Sequence, residues 1–257
     1  MTEAATTHGA STDAVILVGG RGTRLRPLTI GTPKPMLPTA NYPFLQHLLA
    51  RIKAAGIEHV VMSTSYKAEV FEEYFGDGCV PTDSNGRVTA FLEKTEDPPT
   101  NQINAGCYVF KRSVIESIPA DRVVSVERET FPGLLADGRL VVGHVDNSYW
   151  RDMGRPDDFT RGSSDLVRGI APSPLIEGQT GESLVDPSAG IAGGVLLLSG
   201  TAVGRGSEVG AGSRLEGTVV FDGVRIEPGA IIHNSIIASG AHIGANAVIE
   251  NCVIGEG

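Results

Sequence analysis

Four cations fall within fourteen positions near the start of the chain: Arg21, Arg24, Arg26 and Lys34, in the run GGRGTRLRPLTIGTPKP from Gly19 to Pro35. Gly19, Gly20, Gly22 and Thr23 share that run. Glycines let backbone N–H groups come close to a polyphosphate, and cations beside them neutralise it, so the combination makes an anion site. The site is local. The chain as a whole carries 21 Lys and Arg against 30 Asp and Glu, net charge −9, which argues against a general nucleic-acid surface. The run is not a Walker loop, because no Gly-Lys-Ser/Thr follows. It is not a dinucleotide fingerprint either, because Leu25 stands where the last glycine belongs. Further along lie Glu93-Lys94, Asn104, Gly106 and Asp152. Taken alone, a Glu-Lys pair at a strand end reads as a solvated surface pair. An aspartate followed by Gly154 and Pro156 reads as a turn or cap residue. Cys79, Cys107 and Cys252 are odd in number and show no CxxC spacing, which argues against a disulfide framework or zinc site and fits a reducing, cytoplasmic setting.

The elements that would hold these residues alternate. Asp13–Val18 is a short apolar run ending at Gly19-Gly20, as a buried parallel strand does. Asn41–Ala55 carries Leu45, Leu48, Leu49, Ile52 and Ala55 on one helical stripe, with Pro43 near its start and Gly56 beyond its end. A strand is expected over Ile57–Thr64 and a helix over Tyr66–Phe75, closed by Gly76. Further strands are expected at Arg87–Leu92, Tyr108–Phe110 and Leu140–Val145. Short helices are expected after Ser113, where Glu116 would complete a capping box, and after Ser125. Strand and helix in alternation over 13–170 predict an α/β sheet domain. No apolar run approaches the ~18–20 residues that a membrane span needs. The first twelve residues lack the basic start and apolar stretch of a secretory signal.

From about Leu184 the pattern changes. Aliphatic residues stand six apart at Val185, Ile191, Leu197, Val203, Val209 and Leu215, and the series then continues at Val220, Ile226, Ile232, Ile237, Ile243, Ile249 and Ile254. Steps of 6, 6 and 5 make a period of 17, which Gly206, Gly223, Gly240 and Gly257 also obey. Hexapeptide repetition of this kind predicts a parallel β-helix over 184–257, its aliphatic residues filling a narrow core and its glycines at corners that need positive φ. A flexible Gly-rich linker would not hold such a register. The 33 glycines, set against eight Phe, five Tyr and one Trp, are thereby divided between a phosphate loop and a solenoid.

The run Gly19–Pro35 resembles the N-terminal signature of the sugar-1-phosphate nucleotidylyltransferases. Phe91-Leu92-Glu93-Lys94 resembles that family's F-x-E-K motif, Ile103–Tyr108 (INAGCY) its I-N-A-G-x-Y strand, and Trp150–Pro156 (WRDMGRP) its W-x-D-I-G-x-P segment. Four motifs in order, with a β-helix behind them, cover nearly everything from Asp13 to Gly257. They are most similar to the branch of the family that makes GDP-mannose. The resemblance implies a Rossmann-like α/β domain followed by a left-handed β-helix. It also implies attack by a sugar 1-phosphate on the α-phosphorus of a nucleoside triphosphate, with pyrophosphate leaving. GTP and mannose 1-phosphate are the favoured pair, and glucose 1-phosphate with UTP, dTTP or ATP is the alternative. It gives Arg24 and Lys34 to the triphosphate, and Gly19, Gly20, Gly22, Thr23, Asn104 and Gly106 to substrate binding. Lys94 goes to the sugar phosphate, Glu93 to the sugar hydroxyls, and Asp152 to Mg²⁺.

The resemblance breaks at one place. Gly76-Asp77-Gly78 closes a helix, and Cys79–Asp83 already looks like a later strand of the family. Family members carry roughly eighty residues between these points, two or three βα units of about 30 each. That stretch holds the base-recognising L-G-T-x-G-A loop and an N-G-D metal ligand, and neither motif is in this chain. The central sheet is therefore expected to lack elements. The chain also stops at Gly257 in mid-repeat, where the family's β-helix continues and is capped. Little or no nucleotidyl transfer is the expectation. Two rival readings are a non-catalytic paralogue whose β-helix serves oligomerisation or regulation, and a β-helix acyltransferase using His233 or His242 as base. No nucleic-acid or membrane partner is expected.

Overall fold

The structure is a computed structural model, and it describes residues 13–17, 22–30, 32–57, 59–63, 78–79, 92–93, 107–122 and 124–257. These form two compact units: one from residues within 1–68 and 151–257, the other from residues within 69–150.

In the first unit, β1 (Asp13–Leu17) pairs in parallel with β4 (His59–Ser63) in register from Asp13 opposite His59 to Leu17 opposite Ser63. The short strands β2 (Pro38–Thr39) and β3 (Tyr42–Pro43) form a hairpin. Its two-residue turn has Ala40 at φ 46° and Asn41 at φ 65°. Two left-handed residues match the twist of the flanking strands, as tight hairpins require. That turn occupies the first residues of the expected helix, so α1 runs over Phe44–Ala54 and not from Asn41. A second helix, α4 (Pro156–Val167), opens with Pro156 in its first turn beside Asp157 and Asp158, which suit the positive end of the helix dipole.

The solenoid follows as three rows of parallel strands. One row holds β7 (Ser183–Val185), β10 (Thr201–Val203), β13 (Val219–Val220), β16 (Ile236–Ile237) and β19 (Val253–Ile254). The second holds β8 (Gly190–Ile191), β11 (Glu208–Val209), β14 (Arg225–Ile226) and β17 (His242–Ile243). The third holds β9 (Leu196–Leu198), β12 (Arg214–Glu216), β15 (Ile231–His233) and β18 (Val248–Glu250). Val203 pairs with Val220, Val220 with Ile237, and Ile237 with Ile254, so the 17-residue period is one turn of the coil. Val203, Val209, Leu215, Val220, Ile226, Ile232, Ile237 and Ile243 make one buried core. Ile191, on the first coil, stays 38% exposed. Gly206, Gly223 and Gly240 turn the corners at φ 65–71°. Buried hydroxyls tie coil to coil: Ser207 Oγ donates to the Phe221 carbonyl (2.8 Å) and accepts from Val224 N (3.1 Å), and Ser213 Oγ does the same for Glu227 and Ala230. Among the described residues no buried side-chain nitrogen or oxygen lacks a partner.

The second unit contains a two-stranded ladder, β5 (Gly78–Cys79) with β6 (Leu92–Glu93), then α2 (Arg112–Ile115) and a helix over Val126–Ala136 whose first turn is of π type and whose remainder is α3 (Phe131–Ala136). Ser125 caps that helix by accepting from Arg128 N (3.0 Å), and Glu129 reaches back to Ser125 N (3.2 Å). Three expectations change here. Tyr108–Phe110 is not a strand. Its rings instead pack about Phe131, Tyr108 edge-on with centroids 5.0 Å apart and Phe110 stacked at 5.4 Å, and Tyr108 Oη donates to Glu127. Leu140–Val145 contributes a single bridge at Val142, and Leu140, Val142 and Val145 are exposed, so this apolar run did not make a buried strand. Glu116 does not cap Ser113 but pairs with Arg112 one turn back (2.9 Å). The expected helix Tyr66–Phe75 and most of the expected strand Arg87–Leu92 lie outside the described residues.

Candidate active site

Three of the charged residues singled out in the sequence converge in the first unit. Arg24 lies in a 3₁₀ turn, Thr23–Leu25, whose entry residue Gly22 takes φ 56°. Gly22 is closed in by Thr29, whose Oγ1 donates to the Gly22 carbonyl (2.8 Å) and whose Cγ2 would stand 2.8 Å from any Cβ placed there. Glycine is therefore required both for the left-handed backbone and for space. Lys34 opens a second 3₁₀ turn, Lys34–Met36. Asp152 precedes α4, and its Oδ1 lies 3.9 Å from Lys34 Nζ, with Lys34 about one-third exposed and Asp152 less than half exposed. Gly154 is buried between them. A Cβ at Gly154 would come within 2.8 Å of Arg24 Nη2, 2.9 Å of Arg24 Cζ and 3.1 Å of Asp152 Oδ1, so the missing side chain makes room for the guanidinium.

The electrostatics follow from this crowding. Burial pushes the Lys34 ammonium below the usual lysine range; the Asp152 carboxylate opposes that shift and the Arg24 guanidinium adds to it. Two cations and one carboxylate leave net positive charge on partly exposed side chains, suited to an oxyanion of high charge density. Asp152 is a single hard oxygen donor. Among the described residues no three His, Cys, Asp or Glu side chains converge into a metal cage. Such a donor fits Mg²⁺ that arrives already bound to phosphate oxygens, since that ion keeps one or two carboxylates and takes the rest from substrate and water.

Glu93 lies on β6 in the second unit. Gly19, Gly20, Lys94, Asn104 and Gly106 lie outside the described residues. The solenoid histidines occupy outer faces, with His233 Nδ1 3.3 Å from Glu216 Oε2 and His242 Nε2 3.1 Å from Glu227 Oε1.

Sequence reading missed what lies beneath the three charges. Leu25, Leu28, Leu37, Met153 and Phe159 form one buried cluster with Val219, Phe221, Ile236 and Ala238 of the solenoid, with Phe44 and Val253 against it. The signal was present as a second aliphatic residue beside the inward one: Ala202-Val203, Val219-Val220, Ile236-Ile237 and Val253-Ile254 recur every 17 residues. A strand apolar on both faces is buried on both faces. The hairpin turn is also tied to the solenoid, since Asn41 Nδ2 donates to the carbonyls of Leu184 (3.2 Å) and Val203 (3.0 Å). Ala40 N donates to Ser163 Oγ on α4 (2.9 Å). His47 completes the bracing: Nε2 meets the Thr39 carbonyl at 2.8 Å and so carries the proton, while Nδ1 accepts from Ser173 Oγ at 2.7 Å.

Comparison with known proteins settles the lineage. The family described as Nucleotidyl transferase matches residues 13–79 and 76–169, and the GMPPB C-terminal domain matches 179–257. The chain belongs to the nucleotidyl transferase family. It is 51% identical over 280 residues to Mannose-1-phosphate guanylyltransferase of Mycobacterium tuberculosis, covering 79% of this chain and 78% of that protein. Mannose-1-phosphate guanylyltransferase 1 of Arabidopsis thaliana is 31% identical, covering 79% of each chain. Mannose-1-phosphate guanylyltransferase catalytic subunit beta of Drosophila melanogaster is 29% identical, covering 72% of each. The first alignment spans 280 residues yet uses only 79% of this 257-residue chain, about 203 residues, so about 77 positions of the relative have no counterpart here. The two pieces of the family match overlap at 76–79, where the sequence motifs skip a stretch of the family. Among the described residues no helix is long and apolar enough to cross a membrane.

Proposed function

We propose that this chain carries the triphosphate half of a guanylyl-transfer site, with GTP and mannose 1-phosphate as substrates and GDP-mannose and pyrophosphate as products. The convergence of Arg24, Lys34 and Asp152 about Gly154 carries the reading. In this reaction a phosphate oxygen of the sugar 1-phosphate bonds to the α-phosphorus of GTP as the bond to the β-phosphate oxygen breaks. No side-chain nucleophile is needed, so positioning and charge neutralisation do the catalysis. Arg24 and Lys34 hold the β- and γ-phosphates and offset the charge that grows on departing pyrophosphate. Asp152 would hold Mg²⁺, which when bound draws charge from the phosphate oxygens. Glu93 and Lys94 take the sugar hydroxyls and the sugar phosphate, as the family motif implies. The names of the relatives support guanine and mannose as the substrate groups.

The missing stretch of about 77 positions sets the rate. It would have held the base-recognising loop and the second carboxylate for the metal, and the loss of even one electrostatic stabiliser costs about 10²–10³ in rate. Pyrophosphate release with GTP, mannose 1-phosphate and Mg²⁺ tests this against an intact relative. The expected result is GTP binding, with release that needs both substrates and runs at least about a hundredfold slower. Release at the intact relative's rate would overturn the account of the missing stretch, and failure to bind GTP or inorganic tripolyphosphate would overturn the site.

A further inference from the structure

The outer surface of a β-helix is ordinarily wet, yet one row of this solenoid presents Val219, Phe221, Ile236 and Ala238 outward at 0–4% exposure. What covers them is the charged site's own scaffold. Arg24 is followed directly by Leu25, Asp152 directly by Met153, and the turn opened by Lys34 ends on Leu37; all three anchors belong to the one cluster floored by Phe221 and Ile236. Each segment thus leaves a charged group partly exposed and buries an apolar side chain against the solenoid. The last coil extends the floor, because a Cβ on Gly255 would touch Pro27 Cγ at 3.3 Å.

We infer that Phe221 and Ile236 are positioning residues, which set the spacing of Arg24, Lys34 and Asp152 by seating Leu25, Leu37 and Met153. The inference rests on the proposed role of those charges in holding a triphosphate. It makes a selective demand. Glu93 and Lys94 belong to the stretch 69–150, none of whose described residues is in this cluster, so loosening the floor is expected to harm triphosphate binding and spare the sugar phosphate.

The test is a graded pair, Phe221→Leu and Phe221→Ala, beside a control pair in the solenoid interior, Ile243→Val and Ile243→Ala. Thermal midpoints are recorded, and calorimetry with inorganic tripolyphosphate and with mannose 1-phosphate is run well below each midpoint. Partial loss of a charge-assisted hydrogen bond to phosphate is expected to weaken tripolyphosphate binding about threefold for Phe221→Leu and about tenfold or more for Phe221→Ala. Mannose 1-phosphate binding stays unchanged, and the Ile243 pair lowers the midpoint with tripolyphosphate binding intact. Should Phe221→Ala not fold, the comparison of Phe221→Leu with Ile243→Val decides alone. Unchanged tripolyphosphate binding in the Phe221 pair, equal loss of both ligands, or equal loss in the Ile243 pair overturns the inference. If the unaltered chain binds no tripolyphosphate, the functional reading fails and this inference with it.

Discussion

Replacing Gly154 by alanine adds one methyl group in a place where the structure leaves no room for it. The new Cβ would lie 2.8 Å from Arg24 Nη2 and 2.9 Å from its Cζ. Atoms of this kind rest at about 3.5 Å or more, so the guanidinium must retreat by about 0.7 Å. It can do so at little cost to the fold, because the obstructed group is the far end of an exposed, flexible side chain. Removing a glycine also narrows the unfolded ensemble, so the thermal midpoint should stay level or rise, by at most about 1 kcal/mol of stability. Ligand binding bears the whole effect. A hydrogen bond from a guanidinium to a phosphate is worth about 1.5–3 kcal/mol, which is about ten- to a hundredfold in affinity. Calorimetric titration with tripolyphosphate reads that loss directly. Arg24→Ala supplies the second arm of a double-mutant cycle, because the loss from Gly154→Ala should shrink once the guanidinium is gone and only the looser 3.1 Å approach to Asp152 Oδ1 remains. Gly154→Ala with affinity intact to within twofold, or with the same loss in the Arg24→Ala background, would refute the placement of Arg24 on the phosphate.

Three more outcomes follow from the same geometry. Asn41→Ala removes two hydrogen bonds to solenoid carbonyls and sets a residue with a Cβ and no polar side chain at φ 65°, so it should cost about 2–3 kcal/mol by denaturant unfolding; Asn41→Gly, which accepts that φ, should cost less. Lys34 gives up its proton at lower pH than a free lysine, so tripolyphosphate affinity should fall as pH rises through its lowered pKa; Asp152→Asn removes the neighbour that raises it, and the falling limb should move to lower pH. His47 is held neutral by burial, so as pH drops below the usual histidine range the unfolded chain takes up a proton the folded chain refuses; stability should fall there, and His47→Gln should flatten the slope of melting temperature against pH.

Some of this architecture could be read from the residues and some could not, for physical reasons. The solenoid was legible because a close-packed coil admits an aliphatic side chain at one phase only, and Val203, Val220, Ile237 and Ile254 keep that phase. The helix over 44–54 was legible from its stripe, though its start was displaced by a turn whose two left-handed residues, Ala40 and Asn41, do not spell glycine. Tyr108–Phe110 misled because β-prone aromatics are also what builds a ring cluster, and here Phe131 claimed them. Arg24, Lys34 and Asp152 could be proposed by motif, but their meeting around Gly154 is a matter of shape that no spacing encodes. The apolar floor beneath them was written in the sequence as doublets, and only the covered row explains why the second member is apolar.

Stacked parallel strands repeat about every 4.8 Å, and the floor of the site is made of consecutive rungs of such a ladder, β13, β16 and β19. The solenoid is therefore a ruler with coarse graduations. Gaining or losing one 17-residue coil ahead of β13 would leave every internal pairing satisfied while presenting a different rung to Leu25, Leu37 and Met153. Drift by fractions of a rung is not available, because the hydroxyl ties and the aliphatic register allow only whole steps. A module that grows by duplication is thereby locked in phase to a site that tolerates shifts of well under one graduation. The coils nearest the floor should then be the part of the solenoid least free to change in number.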